Sequence, residues 1–237
     1  MAKTFLTAEW RKLAMANYVV DAGFLQAYVP DKTELDIWND RCYVSLVGFM
    51  FLNTMIMGIK VPFHINFEEV NLRFYVRYND IGEWKRGVVF IKEIVPRHAL
   101  TFVANTVYGE NYQTLPMKHR WEVNKNHQIT EYKWLIVNHW NSFKVRTELK
   151  PHDISNGSEE EFITEHYWGY TRINNRKTSE YGVEHPKWQV YKTIDYAIDV
   201  NFSKTYGQEF GFLDNVQPAS VFVAEGSLIE VKSGRTI

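Results

Sequence analysis

The sequence predicts a mainly β (α+β) fold: a large antiparallel sheet, curved or closed into a barrel, with about three peripheral helices. Three observations carry this. The stretch EEVNLRFYVRY, 68–78, alternates strictly, with Glu69, Asn71, Arg73, Tyr75 and Arg77 on one face and Val70, Leu72, Phe74, Val76 and Tyr78 on the other. Apolar runs recur along the chain, and several are separated only by short turn segments such as NDIG, NKNH and NNRK, which read as hairpin loops. Helical periodicity is confined to short stretches. The chain has 237 residues with 45% hydrophobic and 16% aromatic content, and its 13 glycines and 7 prolines are scattered rather than gathered into a linker, so a single domain, 1–237, is expected.

In chain order, a first helix follows Asp21 as N-cap and stops before Pro30. Strands are expected at 35–38, 42–52, 67–78, 85–95, 115–124, 129–145, 170–174, 180–184, 188–200 and 220–223. The uncharged run CYVSLVGFMFLNTMIMGI, 42–59, approaches the about 20 residues that span a bilayer, but Ser45, Asn53, Thr54 and two glycines interrupt it. It reads as a buried strand and an apolar loop, with no membrane partner. A second helix starts after Pro96, places Ala99, Phe102, Val103, Thr106 and Val107 on one face, and ends at Gly109. A third opens with Ser158 and Glu161 in capping-box spacing and carries Phe162, Ile163, His166 and Tyr167 on one side.

Charge and motif content narrow the function. Lys plus Arg total 27 against 28 Asp plus Glu, interspersed, so there is no basic stripe for a nucleic acid. Cys42 is the single cysteine, which rules out an intrachain disulfide, and Glu9, Arg11 and Lys12 interrupt any signal-peptide core; a cytoplasmic protein is expected. The eight histidines form no HExxH, His-x-His or Cys-His cluster, so no metal site is expected. GxGxxG, P-loop and GxSxG motifs are absent, and no cofactor is expected.

The polar row on 68–78 is the leading candidate for chemistry. It faces either bulk water or an enclosed space. Four apolar positions on the opposite face, Val70, Leu72, Phe74 and Val76, need a cover, and the helices after Pro96 and Ser158 offer one, which leaves Glu69, Asn71, Arg73 and Tyr75 for the concave side. Glu69 and Arg73 are about 13 Å apart at about 3.3 Å per residue and cannot pair with each other. If NDIG closes a hairpin with Asn79 near Glu83, Glu93 falls close to Glu69, and the two carboxylates flank an arginine or share a proton. Lys118 and Arg120 share a strand face, where a neighbouring cation can lower a lysine's pKa; Glu69 and Lys118 are therefore the catalytic candidates. Arg120 and His185 complete the candidate ligand-binding set with Glu69, Asn71, Arg73, Tyr75 and Glu93, and His166 is a second proton-carrier candidate. The expected partner is a small molecule bearing an oxyanion, and the apolar segment 49–59 is a candidate homodimer surface.

The succession LDIWNDRCYVSLVGFMF, NFEEVNLRFYVRY, VYGENYQTLPMK, EEFITEHYWGY and VEHPKW resembles the YqjF-like family of uncharacterised proteins, the domain of unknown function 2071, from about Phe5 to the C-terminal VKSGR. EVNLRFYVR is similar to the family's Glu-x-Asn-x-Arg-x-Tyr-Val strand. The resemblance implies a fold like acetoacetate decarboxylase, a barrel or cone of antiparallel strands around a ligand cavity. It does not carry the reaction over. That enzyme forms a Schiff base on one of two adjacent lysines shortly after a helix-ending glycine. The corresponding segment here, GENYQTLPMKHR, has Tyr112 and Gln113 in that neighbourhood, and the nearest lysine is Lys118.

Overall fold

A computed structural model describes residues 3–98, 101, 105 and 110–237. The chain is mainly β, with its strands joined in one large sheet. Seven of them close a ring: β1 (Thr4–Val20), β3 (Cys42–Ile56), β4 (Phe67–Asp80), β5 (Glu83–Val95), β10 (Trp168–Asn174), β11 (Lys177–Glu184) and β13 (Ser220–Lys232). The last link is the β11–β13 pairing at Val183↔Val231 and Glu184↔Glu230. From β13 the sheet continues through β12 (Gln189–Asp199), β9 (His139–Asp153), β8 (Gln128–Ile136) and β7 (Met117–Val123), while β2 (Thr33–Leu35) and β6 (Tyr112–Thr114) attach to β4 and β5.

The sheet is mixed: most pairings are antiparallel, as the hairpin loops imply, and two are parallel. β5 pairs parallel with both β6 and β10. Those partners return by long crossovers instead of tight turns, and crossovers permit parallel pairing.

On β4 the two faces part as the alternation requires. Val70, Leu72, Phe74 and Val76 are fully buried in a cluster with Tyr18, Trp134, Phe143, Phe202 and Phe210. Among the described residues their cover is not the helix after Ser158. β8, β9, the helix Phe202–Tyr206 and the 3-10 helix Gln208–Asn215 provide it. The helix Glu159–Thr164, capped by Ser158 as its sequence indicates, instead lies on the polar-row side, where Phe162 packs on Tyr43 and Tyr75. Its Glu159 accepts from Tyr43 and Ser220, while Ser220 accepts from Asn17, and Asn17 accepts from a Ser45 hydroxyl that also bonds Tyr75. The helix expected at 97–109 lies largely outside the described residues.

Other departures have local causes. β1 escaped the periodicity because Lys12 has φ 54° and the register with β3 slips between Arg11 and Ala14, which breaks the two-residue alternation. The expected strand 129–145 is two strands. Val137 and Asn138, both at positive φ, turn the chain between them. The 42–59 run is strand β3 with an exposed tip at Met57 and Ile59, and no helix of the described residues is long and apolar enough to cross a membrane.

Candidate functional site

β4 supplies one wall of a pocket of about 140 Å³ inside the ring. Glu69, Asn71 and Arg73 stand at alternate positions of the strand and all line it. The β4–β5 hairpin turns through Ile81 and Gly82, pairing Asp80 with Glu83, and a bulge at Ile91 then shifts the register so that Glu93 lies opposite Asn71. Glu93 thus joins the same wall, diagonal to Glu69 rather than directly across from it. Glu110 and Tyr112 enter from the segment leading into β6, where Asn105 holds the Tyr112 backbone through both its N–H and its carbonyl. Gly169 and Tyr181 come from β10 and β11, and His166 from the turn after the helix Glu159–Thr164. Trp10, Phe49, Phe51, Phe90 and Trp168 make the remaining walls apolar.

Three buried glutamates in one pocket cannot all ionise cheaply. Burial raises Glu69 to about 7, against the opposing pull of Asn71, Tyr112 and Arg73. Burial likewise raises Glu110 to about 7, although it accepts hydrogen bonds from Thr171 (2.6 Å) and Tyr181. Glu93 is pushed well above the carboxylate range, first by burial and then by the charges of Glu110 and Glu69. The Tyr112 hydroxyl donates to Glu69 Oε2 at 3.3 Å and also faces Glu93, so a single phenolic proton sits between two carboxyls. Asn71 Nδ2 donates to Glu69 Oε1 at 3.0 Å. Each of these acids keeps its proton to a higher pH than a free carboxyl does.

Arg73 is 7% exposed, yet no carboxylate of the described residues comes within ion-pair distance of it, and its Nε has no hydrogen-bond partner among them. Glu93 Oε2 and Asn71 Oδ1 are also buried without partners among the described residues. Buried polar groups are nearly always paired. A cluster of orphaned donors and acceptors around one small pocket is the pattern of a site whose complement is a bound molecule or ordered water.

The family model described as DUF2071, uncharacterized conserved protein, matches residues 7–227. The chain belongs to the DUF2071 family. It is 27% identical over 196 residues to the uncharacterized protein YqjF of Bacillus subtilis (strain 168), spanning 81% of this chain and 77% of that one. Among solved structures it is similar to acetoacetate decarboxylase from Legionella pneumophila (TM-score 0.67, 12% identity, 99% of this chain and 88% of that one). It is also similar to the enduracididine biosynthesis enzyme MppR complexed with the condensation product of pyruvate and imidazole 4-carboxaldehyde (TM-score 0.69, 11% identity, 100% and 90%). At these identities the likeness shows a shared fold, not a shared reaction.

Within this DUF2071 chain, the sequence-derived candidates divide. Glu69, Asn71, Arg73 and Glu93 line the pocket. Tyr75 points to the same interior but is covered by Phe162 and His166, and its hydroxyl bonds Ser45 at 2.7 Å. Lys118 and Arg120 are not among the residues that line the pocket. They lie exposed on β7, where Lys118 sits over Trp140 and Arg120 pairs with Glu131 and Glu122. Their shared face is a real strand face, but β7 is at the far end of the sheet from the ring. His185 stacks on Trp188 and Tyr167 outside the pocket lining. Phe49 and Phe51, assigned to a candidate dimer surface, are buried pocket walls. Missing from the sequence-derived set were Glu110, Tyr112 and Tyr181. Tyr112, with Gln113, stands where the resemblance places a lysine pair, but β6 and β11 reach the pocket through long-range pairings that periodicity does not register.

Proposed function

We propose that the strand ring acts as a ligand-holding barrel whose pocket binds a small, largely apolar molecule carrying one carboxylate or similar oxyanion. Arg73 is the anchor. The observation that carries this reading is a buried guanidinium left without a carboxylate although three glutamates line the same pocket. Burial disfavours the charged form of all three glutamates, so whichever holds its proton can donate to the anion, while none of them stands at ion-pair distance from Arg73. The test is a thermal-shift comparison of short monocarboxylates and 2-keto acids with their amides. Carboxylates should raise the melting temperature with concentration and amides should not. Equal stabilisation by amides, or none by any carboxylate, contradicts the reading.

A second reading, an enzyme acting on a carbonyl or carboxylic acid, is favoured by carboxyls poised near pH 7 and by a fold neighbour crystallised with a pyruvate product. No lysine lines the pocket, and none stands among the residues outside the description, so a Schiff base has no amine there. The chemistry available is acid–base: a glutamate removes a proton from carbon next to the carbonyl while a protonated neighbour hydrogen-bonds the forming enolate oxygen. In heavy water this predicts deuterium entering the methyl group of pyruvate, lost in Glu93→Gln. Borohydride treatment with pyruvate should leave Lys118 unmodified.

A further inference from the structure

The pocket contains one more polar group whose orientation is fixed. His166 Nε2 lies 3.0 Å from Asp36 Oδ2, and Arg86 Nε holds that same oxygen at 2.6 Å. Burial works against the Asp36 charge, but the hydrogen bonds from His166 and Arg86 outweigh it and keep the carboxyl below its usual range. An ionised carboxylate only accepts, so the proton of His166 resides on Nε2. Burial also lowers His166 to about 4, which keeps the ring neutral. Nδ1 is then a bare lone pair. It is buried, it has no partner among the described residues, and the ring to which it belongs lines the pocket. Tyr75 and Phe162, with ring centroids at 4.6 and 5.2 Å, fix the plane of the imidazole. The pocket glutamates can take up a proton near neutral pH; His166 Nδ1, like Asn71 Oδ1, offers only an acceptor.

We propose that His166, held in the Nε2–H tautomer by Asp36, accepts a hydrogen bond from a hydroxyl of the ligand whose oxyanion Arg73 binds, so that the pocket selects a hydroxy acid over the same acid without the hydroxyl. This rests on the oxyanion reading above and adds the second functional group of the ligand. Arg73 and His166 line the same small pocket and both lie against Tyr75, the guanidinium carbon 5.8 Å and the imidazole 4.6 Å from its ring centroid, which places the two recognition points within one short molecule. The aromatic walls then receive its apolar remainder.

Calorimetric titration of the full chain with 3-phenyllactate and 3-phenylpropionate provides the test. The hydroxy acid should bind roughly tenfold more tightly, the worth of one well-placed hydrogen bond. His166→Phe, which keeps an aromatic ring in the same space, should erase that preference while retaining affinity for 3-phenylpropionate. The wild-type protein supplies a second readout that needs no variant. The 15N spectrum of His166 should show a protonated Nε2 and an unprotonated Nδ1, with the Nδ1 resonance moving on addition of 3-phenyllactate and not of 3-phenylpropionate. Equal affinity for the two acids, or a proton found on Nδ1, overturns the proposal and leaves the anion anchor standing. Failure of both acids to bind overturns the anion anchor, and this proposal with it.

Discussion

At Glu69 and Glu110 the pocket leaves a mark on stability that can be read without any ligand. Both carboxyls are raised to about 7 by burial. A group that binds its proton more tightly when folded stabilises the fold below its unfolded pKa, and that stabilisation drains away as pH rises to the folded value. The window is therefore about 4.5 to 7, with a slope of at most about 1.4 kcal/mol per pH unit for each group. His166 works in the opposite direction. Lowered from 6.5 to about 4, it contributes stability above pH 6.5 that is lost as pH falls through that interval. Denaturant unfolding of Glu69→Gln should accordingly show a smaller fall in stability between pH 4.5 and 7 than the wild-type protein. His166→Phe should show a steeper fall over pH 4 to 6.5. Parallel pH curves for all three proteins would mean that these groups are solvated.

At the scale of elements, the β4–β5 hairpin and the β10–β11 hairpin, joined through the β5–β10 pairing, build adjoining walls of the pocket and differ in how they tolerate change. Gly82 sits at φ 93° in the tight turn, and a Cβ there would meet nothing within 4 Å. Gly82→Ala should cost about 1–2 kcal/mol from backbone strain alone and leave ligand binding unaltered. Gly169 lines the pocket, and a Cβ on it would fall 2.2 Å from the Tyr181 ring, whose hydroxyl serves Glu110. Gly169→Ala should destabilise by about 1–3 kcal/mol and also weaken binding, because Tyr181 must shift. Chemical denaturation together with titration separates the two cases. The contrast also shows what the sequence could disclose. The polar row of β4 was legible because two-residue alternation is a local property, and both capping residues, Asp21 and Ser158, accept the backbone N–H bonds their positions imply. The partners of that row were not legible, since Tyr181 reaches the pocket through the long-range pairings of its hairpin with β5 and β13, and Glu110 precedes β6, which returns to β5. That Lys118 and Arg120 stand apart from this pocket was not legible for the same reason: a local pattern cannot say which end of the sheet a strand occupies.

For the whole molecule, the ring keeps its polar row inward because the other face of β4 is fully engaged elsewhere. Val70, Leu72 and Phe74 pack with Trp134 and Phe143 of the strands that continue past β13, so rotating β4 would bury its charges in an apolar layer. Trp134→Ala should therefore cost about 3–5 kcal/mol in unfolding, as for other large core truncations, although Trp134 is remote from the pocket lining. The central claim is that Arg73 is the charge this enclosure was built around. Titration calorimetry of 3-phenylpropionate against the wild-type protein, Arg73→Gln and Arg120→Gln tests it most directly. Loss of a charge-assisted contact should weaken binding by Arg73→Gln roughly ten- to a hundredfold, with Arg120→Gln, altered on exposed β7, indistinguishable from wild type. Wild-type affinity in Arg73→Gln, or an equal loss in Arg120→Gln, would contradict the account.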